Sequence, residues 1–301
     1  MTLPLSPAPI APALAEAAQF IEGTLEALLP VPAGPEARLL EAMRYATLGG
    51  GKRLRAFLVL QSGRLFGVDR RPLGRVAAAV ECVHAYSLVH DDLPAMDDDD
   101  IRRGRPSTHK AFDEATAILA GDALLTLAFA LMSSTETHGD PFVRCELVSR
   151  LATASGHAGM VGGQMMDLAF EGQNPGLPEI TRLQRMKTAA LFTFCCEAGA
   201  IMGKASPQLR EKLCAFGQDM GLAFQIADDL LDLEGDQQET GKKVHKDRAR
   251  GKATVASVHG PQRARAQAEA LAAQALRHLD LFDEKADLLR AAALFAVARV
   301  G

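Results

Sequence analysis

Two dense clusters of aspartates are the residues of this chain best suited to chemistry. The first lies in HDDLPAMDDDDIRRG (residues 90–104) and the second in FQIADDLLD (residues 224–232). Carboxylates packed so closely repel one another unless a cation lies between them. Mg²⁺ takes oxygen ligands and is commonly held by one or two carboxylates together with substrate phosphates. Two such clusters facing one cavity would bind Mg²⁺ and a diphosphate together.

Each cluster alone also fits a plainer interpretation, a solvated helix end or turn. Asp is only slightly worse than Ala within a helix, and like charges one turn apart add a similarly small cost. A second cluster in mid-helix, flanked by apolar residues, is harder to explain as solvated surface. A calcium loop does not fit, because the alternating D-x-[DN]-x-[DN]-G pattern with a closing Glu is absent. The metal–diphosphate interpretation is therefore favoured.

The segment TLGGGKRLR (residues 47–55) is a candidate anion site. Its glycines let the backbone approach a ligand, and Lys52, Arg53 and Arg55 are strong anion donors. It is not a Walker A loop, since the spacing differs and no Ser or Thr follows the Lys; the alternative is a basic turn at a helix start. Further polar segments contain the pair Arg102 and Arg103, the pair Lys187 and Thr188, Lys242, and Lys252. Together these cations indicate a site for two diphosphates.

The elements that must position these motifs are helices. Hydrophobic residues make up 48% of the 301 residues, with Ala and Leu dominant, and no strand-like alternation stands out, which favours helix. The periodicity predicts helices near 13–29, 36–47, 53–66, 73–92, 112–133, 141–155, 159–170, 179–202, 208–234, 262–281 and 284–299. No linker or internal repeat separates them. We expect an all-α fold, with a flexible N-terminal arm over residues 1–12 and a single domain of about ten helices over residues 13–301.

Helical spacing places the second cluster on one helix face. Gln225, Asp228 and Asp232 follow the i, i+3, i+7 pattern, and Asp229 lies beside them. The same face can therefore present several oxygen ligands to one cavity.

The first cluster follows the predicted helix at 73–92, where His84, Ser87 and Asp91 share a face by the same spacing. Pro94 must disturb this helix, because it lacks a backbone donor and clashes with the preceding turn. We therefore expect Asp97 to curl back toward Asp91 from a turn.

Composition argues against several partners and compartments. The net charge of −4 is too mild to indicate nucleic acid. The five cysteines are odd in number and form no CxxC pair, so we expect buried thiols in a reducing compartment. The N-terminus lacks a basic leader and is broken by prolines, so no signal peptide is expected, and no run approaches the roughly 18 apolar residues of a membrane span. These features predict a cytoplasmic protein without membrane insertion.

Four segments resemble the motifs of the trans-isoprenyl diphosphate synthases. They are VECVHAYSLVHDDLPAMDDDDIRRGRPSTHKAF, ATAILAGDALLTLAF, GLAFQIADDLLD and GGGKRLR. The resemblance runs from about residue 15 to the C-terminus, and the paired Asp-rich motifs, in this order and context, are very specific. It implies an all-α isoprenoid-synthase-type bundle around a central cavity, in a homodimer. It also implies Mg-dependent condensation of isopentenyl diphosphate with an allylic diphosphate.

Carried over position by position, the resemblance implies three groups of site residues. The metal ligands are Asp91, Asp92 and Asp97, with a four-residue spacer, and Asp228, Asp229 and Asp232. They imply three Mg²⁺ ions in each site, with Mn²⁺ able to substitute. The residues around the allylic diphosphate are Arg102, Lys187, Thr188, Gln225, Lys242 and Lys252, with catalytic roles for Arg102, Lys187, Gln225 and Lys242. The isopentenyl diphosphate pocket comprises Gly51, Lys52, Arg55, His84 and Arg103.

The implied reaction requires no side-chain base. Mg²⁺ acts as a Lewis acid on the leaving diphosphate, and Arg102, Lys187 and Lys242 add preorganised positive charge. The C–O bond ionises to an allylic cation, the double bond of isopentenyl diphosphate attacks it, and a proton passes to the departing diphosphate. Apolar walls exclude water that would trap the cation.

Product length should be set by a steric wall. Each added isoprene unit buries five carbons, worth about 4 kcal/mol at about 0.8 kcal/mol per CH₂, so affinity alone favours longer products. The resemblance puts the length-limiting position at Tyr86, and its neighbour Ser87 lies one turn before Asp91. A Tyr there implies a C15 product, farnesyl diphosphate. The alternative is that Tyr86 is only a core residue.

Other functions stay open at this point. A synthase of geranylgeranyl or geranyl diphosphate would keep the same chemistry. A class I terpene cyclase would normally lack the GGGKRLR pocket and the second DDxxD motif, and a non-catalytic synthase subunit would have lost Asp-rich motifs. This chain has both motifs, and turnover by the purified protein with Mg²⁺ distinguishes an enzyme from a subunit.

Overall fold

The computed structural model describes residues 10–234 and 254–298, and its secondary structure is almost entirely α-helical. The helices are α1 (Ile10–Leu28), α2 (Ala37–Thr47), α3 (Leu54–Arg64), α4 (Arg70–Asp91), α5 (Thr108–Ala111), α6 (Glu114–Ser133), α7 (Pro141–Ser155), α8 (Met160–Phe170), α9 (Leu177–Gln184), α10 (Ala190–Met202), α11 (Pro207–Glu234), α12 (Val255–His259), α13 (Pro261–His278) and α14 (Asp287–Val297). A π-helical turn, Arg185–Ala189, joins α9 to α10. A short antiparallel hairpin pairs β1 (Ile101–Arg102) with β2 (Arg105–Pro106). The predicted all-α class is confirmed.

The described residues form two compact units. The N-terminal unit comprises residues 14–60 and 69–148, and the C-terminal unit comprises the described residues among 1–13, 61–68 and 149–301. The single domain expected from the sequence stays a prediction. Because α1 begins at Ile10, residues 10–12 of the predicted N-terminal arm are helical; the rest of that arm lies outside the described residues.

In the N-terminal unit, the long helix α4 packs against α6. A Cβ added to Gly121 on α6 would overlap the ring of His90 on α4, so the close approach requires glycine there. Asp113 caps α6, since its side chain accepts a hydrogen bond of 2.8 Å from the Thr116 N–H. This packing holds the C-terminal end of α4, where the first aspartate cluster begins.

Helix α6 has the length and hydropathy of a membrane span. The expectation that no segment approaches such a span is therefore wrong for Glu114–Ser133, whose Thr, Gly and Asp residues do not offset its Ala and Leu content. In the structure, 39% of its most apolar stretch is buried. The core helix of a soluble protein can have the same length and hydropathy, so the feature alone does not indicate insertion.

In the C-terminal unit, α11 packs against both α10 and α13. Two glycines on α11 allow the closest approach: a Cβ on Gly217 would lie 2.7 Å from the Thr193 Cα, and one on Gly221 would lie 2.6 Å from the Ala189 Cα. Such distances are too short for any side chain, so α11 lies directly against the π-helical turn and the start of α10.

The cysteines are all free thiols, as predicted. Cys82, Cys195 and Cys196 are buried, and burial raises the pKa of Cys82 to about 12. The expectation of uniformly buried thiols is wrong for Cys145, which is exposed on α7, and for Cys214, which is only partly buried on α11. The sequence gives the spacing of residues along α7 but not the helices that pack against it, so it does not determine which side of α7 faces solvent.

Candidate active site

The first aspartate cluster begins at the last residue of α4 and continues in a turn. After Pro94 the backbone folds back, so that the N–H of Asp97 donates to the Asp91 carbonyl at 2.7 Å and that of Asp99 donates to the Asp92 carbonyl at 3.1 Å. The return of Asp97 toward Asp91, expected from the proline, is confirmed. The carboxylates of the cluster therefore project from a compact turn instead of an extended helix.

Arg102 pairs with the buried member of this cluster. On the hairpin strand β1, its Nε lies 3.0 Å from Oδ1 and 3.3 Å from Oδ2 of Asp92, and its terminal nitrogen contacts both Asp92 and Asp99. Burial raises the pKa of the Asp92 carboxyl, although Arg102 acts in the opposite direction. The guanidinium thus provides the countercharge that a buried carboxylate needs.

The most compact metal-capable group in the cluster differs from the predicted triad. Among the described residues, Asp98, Asp100 and His109 bring one ligand atom each within 4.8 Å of one another. Asp100 also pairs with Lys110 at 2.9 Å. Carboxylates and imidazole can hold a divalent cation, so the Asp-rich turn has the donors that a metal requires. The assignment of metal to Asp91, Asp92 and Asp97 stays a prediction.

The glycine segment forms a left-handed loop between α2 and α3. Gly49, Gly50 and Gly51 have φ values of 122°, 91° and 110°, and Arg53 has φ of 49°. Glycine adopts such values without steric cost. Arg103 lies against the loop, donating a hydrogen bond of 2.9 Å to the Gly50 carbonyl. The structure therefore brings together Gly51 and Arg103, two residues of the predicted isopentenyl diphosphate pocket, while the adjacent Lys52 is exposed.

Arg53 does not face the loop surface. Its guanidinium donates to Glu81 at 2.9 Å, to Glu22 at 2.7 Å and to the Thr47 carbonyl at 2.6 Å. The Arg53 side chain is 2% exposed. The interpretation of Arg53 as an anion donor, made from the sequence, is therefore wrong in this structure, because the carboxylates of Glu81 and Glu22 occupy the guanidinium.

His84 and Arg55 lie side by side in the same unit. The Arg55 Nη1 is 3.4 Å from the His84 Nε2. Burial and the positive charges of Arg55 and Arg103 hold the pKa of His84 well below its usual range. His84 is therefore a neutral imidazole at physiological pH, with one N–H to donate and one nitrogen to accept.

A cavity of the N-terminal unit adjoins the glycine loop and the first cluster. Its lining comprises Tyr45, Ala46, Leu48, Gly49, Ala85, Leu88, Val89, Asp92, Arg102, Arg103, Arg105, Pro106, Ser107 and Thr108. The loop, the C-terminal part of α4 and the hairpin thus meet around one space. Cationic and carboxylate side chains both reach it.

Of the two predicted product-length residues on α4, Tyr86 is buried and Ser87 is half-buried. Tyr86 is 7% exposed, and its ring packs edge-on against His90 with centroids 5.4 Å apart. Burial, with Asp91 and Asp122 nearby, raises the pKa of its phenol. The Ser87 hydroxyl donates to the His84 carbonyl at 2.9 Å. Tyr86 is thus a buried, packed aromatic side chain about 1.4 turns before Asp91.

The second cluster has one buried carboxylate that is satisfied by amides. Asp229 accepts a hydrogen bond from Gln184 at 2.8 Å and one from Gln225 at 2.7 Å. Gln225 in turn accepts from the Thr188 hydroxyl. Asp228 and Asp232 are only partly buried. The structure therefore brings Thr188, Gln225 and Asp229 into one hydrogen-bonded chain.

Lys187 projects from the π-helical turn. Its Nζ donates to Asp167 on α8 at 2.6 Å. A Cβ on Gly163 of α8 would overlap the Lys187 backbone nitrogen, so only glycine allows this approach. Single π-helical turns occur frequently at functional sites. Two further predicted residues, Lys242 and Lys252, lie outside the described residues.

Comparison with known proteins identifies the family. The polyprenyl synthetase family matches residues 36–292. The chain belongs to this family. It is 47% identical over 249 residues to the farnesyl diphosphate synthase of Escherichia coli K12, an alignment that covers 80% of this chain and 82% of the relative.

Solved structures agree with this assignment to the polyprenyl synthetase family. A structure of an FPP/GFPP synthase from Zymomonas mobilis is 51% identical, with a TM-score of 0.88, and the match covers 96% of this chain and 98% of that one. A Helicobacter pylori geranyltransferase, complexed with magnesium and isoprenyl diphosphate, is 32% identical with a TM-score of 0.83, and the match covers 99% and 98% of the two chains. The family, the all-α class and the prenyltransferase class of enzyme predicted from the motifs are confirmed.

Sequence reasoning missed three residues that organise this polyprenyl synthetase site. Glu22 and Glu81 hold the glycine loop through Arg53, and Gln184 holds Asp229. The role of Glu81 could have been predicted from the sequence, because it is the one acidic residue in the apolar segment VAAAVECV. A lone acid in such a helix must be paired when the helix is buried.

Proposed function

We propose that this chain is a Mg-dependent farnesyl diphosphate synthase. It condenses isopentenyl diphosphate head to tail with dimethylallyl or geranyl diphosphate. The observation that carries this proposal is the cavity shared by Gly49, Arg103 and Asp92. A backbone loop suited to an anion and a carboxylate motif suited to a metal open onto one space. Such an arrangement would hold the two diphosphate substrates next to each other, as their condensation requires.

The loop side of the cavity binds isopentenyl diphosphate. The backbone of Gly51 approaches the diphosphate closely, and three cationic side chains donate to its oxygens. They are Lys52, Arg55 and Arg103, assisted by the neutral His84. Neutral His84 donates without adding to the repulsion between Arg55 and Arg103.

The allylic diphosphate binds at the aspartate motifs. Its ligands are Arg102, Lys187, Thr188, Gln225, Lys242 and Lys252, and the metal-binding carboxylates are Asp91, Asp92, Asp97, Asp228, Asp229 and Asp232. The carboxylate oxygens of the Asp-rich turn suit a hard divalent cation. We propose three Mg²⁺ ions, which Mn²⁺ can replace. Bound Mg²⁺ supplies Lewis acidity toward the leaving diphosphate.

The protein's own groups stabilise the charge that develops during reaction. As the allylic C–O bond breaks, Arg102 and Lys187 face the growing negative charge of the diphosphate. The double bond of isopentenyl diphosphate then forms the new C–C bond at the allylic carbon. A proton leaves the adjacent carbon for the released diphosphate, so the number of protons balances without a side-chain base.

Tyr86 sets a C15 product in this proposal: its ring is buried on α4, packed against His90 and N-terminal to Asp91, where it would block a longer chain. The second candidate is a synthase of longer products, such as geranylgeranyl diphosphate. The Zymomonas mobilis relative, described as an FPP/GFPP synthase, favours this candidate. The two candidates share every step except termination.

The setting of the enzyme is also part of the proposal. We propose a homodimer in the cytoplasm, without membrane insertion, acting on small diphosphates and not on nucleic acid. The mild net charge of −4 is consistent with such substrates and with the absence of a polyanionic partner.

Product analysis tests this function. The purified protein is incubated with isopentenyl diphosphate, dimethylallyl diphosphate and Mg²⁺, with EDTA as the control. We expect a C15 diphosphate that disappears on chelation. A C20 or C25 product would support the second candidate, and no condensation would contradict both.

A further inference from the structure

A network of three charges, two of them buried, lies behind the glycine loop. Arg53, in the loop, pairs with Glu81 on α4 at 2.9 Å and with Glu22 on α1 at 2.7 Å. The side chains of Arg53 and Glu81 are each 2% exposed, whereas that of Glu22 is 37% exposed. The loop is thus tied to two helices by one guanidinium.

Each member of the network also holds backbone of the loop segment. Glu22 Oε1 accepts the N–H of Gly49 at 2.9 Å, and Glu81 Oε1 accepts the N–H of Ala56 at 3.2 Å. Arg53 donates to the Thr47 carbonyl at 2.6 Å. The network therefore fixes the segment on both sides of the glycines.

The loop requires such support because its own conformation is costly. Glycines lose much conformational freedom when ordered, and Arg53 is a non-glycine residue at φ of 49°. Backbone in sparsely populated regions persists where the surroundings over-determine it. The hydrogen bonds of Arg53 to the two carboxylates and to the Thr47 carbonyl hold its backbone in this conformation.

The network also balances charge beside the loop. Burial alone would lower the pKa of Arg53, yet Glu81 and Glu22 raise it. Burial alone would raise the pKa of Glu22, yet the hydrogen bond from the Gly49 N–H and the charge of Arg53 lower it. Two carboxylates and one guanidinium leave a net negative charge. This charge offsets the repulsion among the cations that face the ligand, of which Arg103 has its pKa lowered by burial and by Arg53.

We propose that Glu22, Arg53 and Glu81 are positioning residues that set the affinity of the glycine loop for isopentenyl diphosphate. This inference rests on the proposed function, because that function assigns the loop to this substrate. None of the three touches substrate. Glu22 is the informative member, since it lies on α1 outside every motif and is exposed enough to be changed without unfolding the protein.

The test compares Glu22→Gln with Glu16→Gln. The amide of Glu22→Gln can still accept the Gly49 N–H but no longer balances Arg53. Glu16 lies on the same helix, pairs with Arg70 on the surface and does not contact the loop. We expect Glu22→Gln to raise the KM for isopentenyl diphosphate about 10-fold. The KM for geranyl diphosphate and the melting temperature should change little, and Glu16→Gln should match the wild type.

A second variant separates the charge from the backbone contact. Glu22→Ala removes both the charge and the acceptor for Gly49, so its KM for isopentenyl diphosphate should exceed that of Glu22→Gln. An unchanged KM for isopentenyl diphosphate in both variants overturns the inference while leaving the function intact. Equal losses for the two substrates with a lower melting temperature also overturn it, because they indicate general destabilisation.

Calorimetry with inorganic diphosphate keeps this inference distinct from the proposed function. If the wild type fails to condense the two substrates, the function is wrong, but diphosphate affinity still tests the loop. Weaker binding in Glu22→Gln and not in Glu16→Gln supports positioning. Equal binding in all three proteins rejects it.

Discussion

The guanidinium of Arg102 lies against the buried carboxylate of Asp92, with Nε 3.0 Å from Oδ1. Removing one partner of a buried ion pair is costly, because the other charge is left without compensation. A diphosphate that drew Arg102 away from Asp92 would leave this carboxylate uncompensated unless a cation replaced the guanidinium. The pair links metal binding to substrate binding in the proposed site.

Asp228→Ala should abolish turnover without unfolding the protein. We expect at least about a 100-fold loss of kcat, since a metal clamp contributes several kcal/mol to the transition state. Helicity and melting temperature should stay close to those of the wild type, because Asp228 is only partly buried. Glu211→Ala, an exposed acid on the same helix, is the control. A near-normal rate for Asp228→Ala would refute its assignment as a metal ligand.

Tyr86→Ala should lengthen the product. The change removes a buried ring that packs against His90, which opens space for further isoprene units. We expect products beyond C15 in chromatography of the dephosphorylated mixture. Tyr86→Phe keeps the ring and should still stop at C15. An identical product profile for Tyr86→Ala and the wild type would exclude this residue from the wall.

Gly163→Ala should disturb Lys187. The new methyl would overlap the Lys187 backbone nitrogen, so the π-helical turn must shift or α8 must move away. We expect a loss of about 1–3 kcal/mol in the free energy of unfolding and a lower kcat. Gly23→Ala is the control, because a Cβ there meets nothing within 4 Å. As a helix interior position, it should gain up to about 1 kcal/mol, measured by urea unfolding.

The stability of the fold should depend on pH through the carboxylate of Asp113. Its hydrogen bonds with Arg38 and Thr116 lower its pKa from 3.8 to about 2. The ionised carboxylate therefore stabilises the fold above pH 3.8, and this contribution disappears as pH falls through about 2. The melting temperature of Asp113→Asn should lie below that of the wild type at pH 6, and the difference should shrink between pH 4 and pH 2.

The control for Asp113 is Asp69→Asn. Asp69 precedes α4 without a side-chain capping hydrogen bond, so its variant should melt close to the wild type at pH 6. A constant difference between Asp113→Asn and the wild type across the acid range would contradict the assigned interaction.

Much of the helical framework was predictable from periodicity. The predicted helix at 73–92 corresponds to α4 (Arg70–Asp91), and the one at 208–234 to α11 (Pro207–Glu234). The short elements were missed, namely α5 (Thr108–Ala111), α12 (Val255–His259) and the hairpin of β1 and β2. Such short segments show no period, so their conformation depends on contacts that a local pattern does not contain.

The sequence by itself determined the family, the helical class and the carboxylates and cations available to the site, because these depend on residue type and local spacing. Only the tertiary structure decided how each charge is used. Arg53 and Lys52 are neighbours in one basic motif, yet Arg53 is buried between Glu22 and Glu81 while Lys52 is exposed. Those partners lie 31 and 28 residues away in the chain. Helical spacing fixes which residues share a face, but the partner across that face is set by how the helices pack.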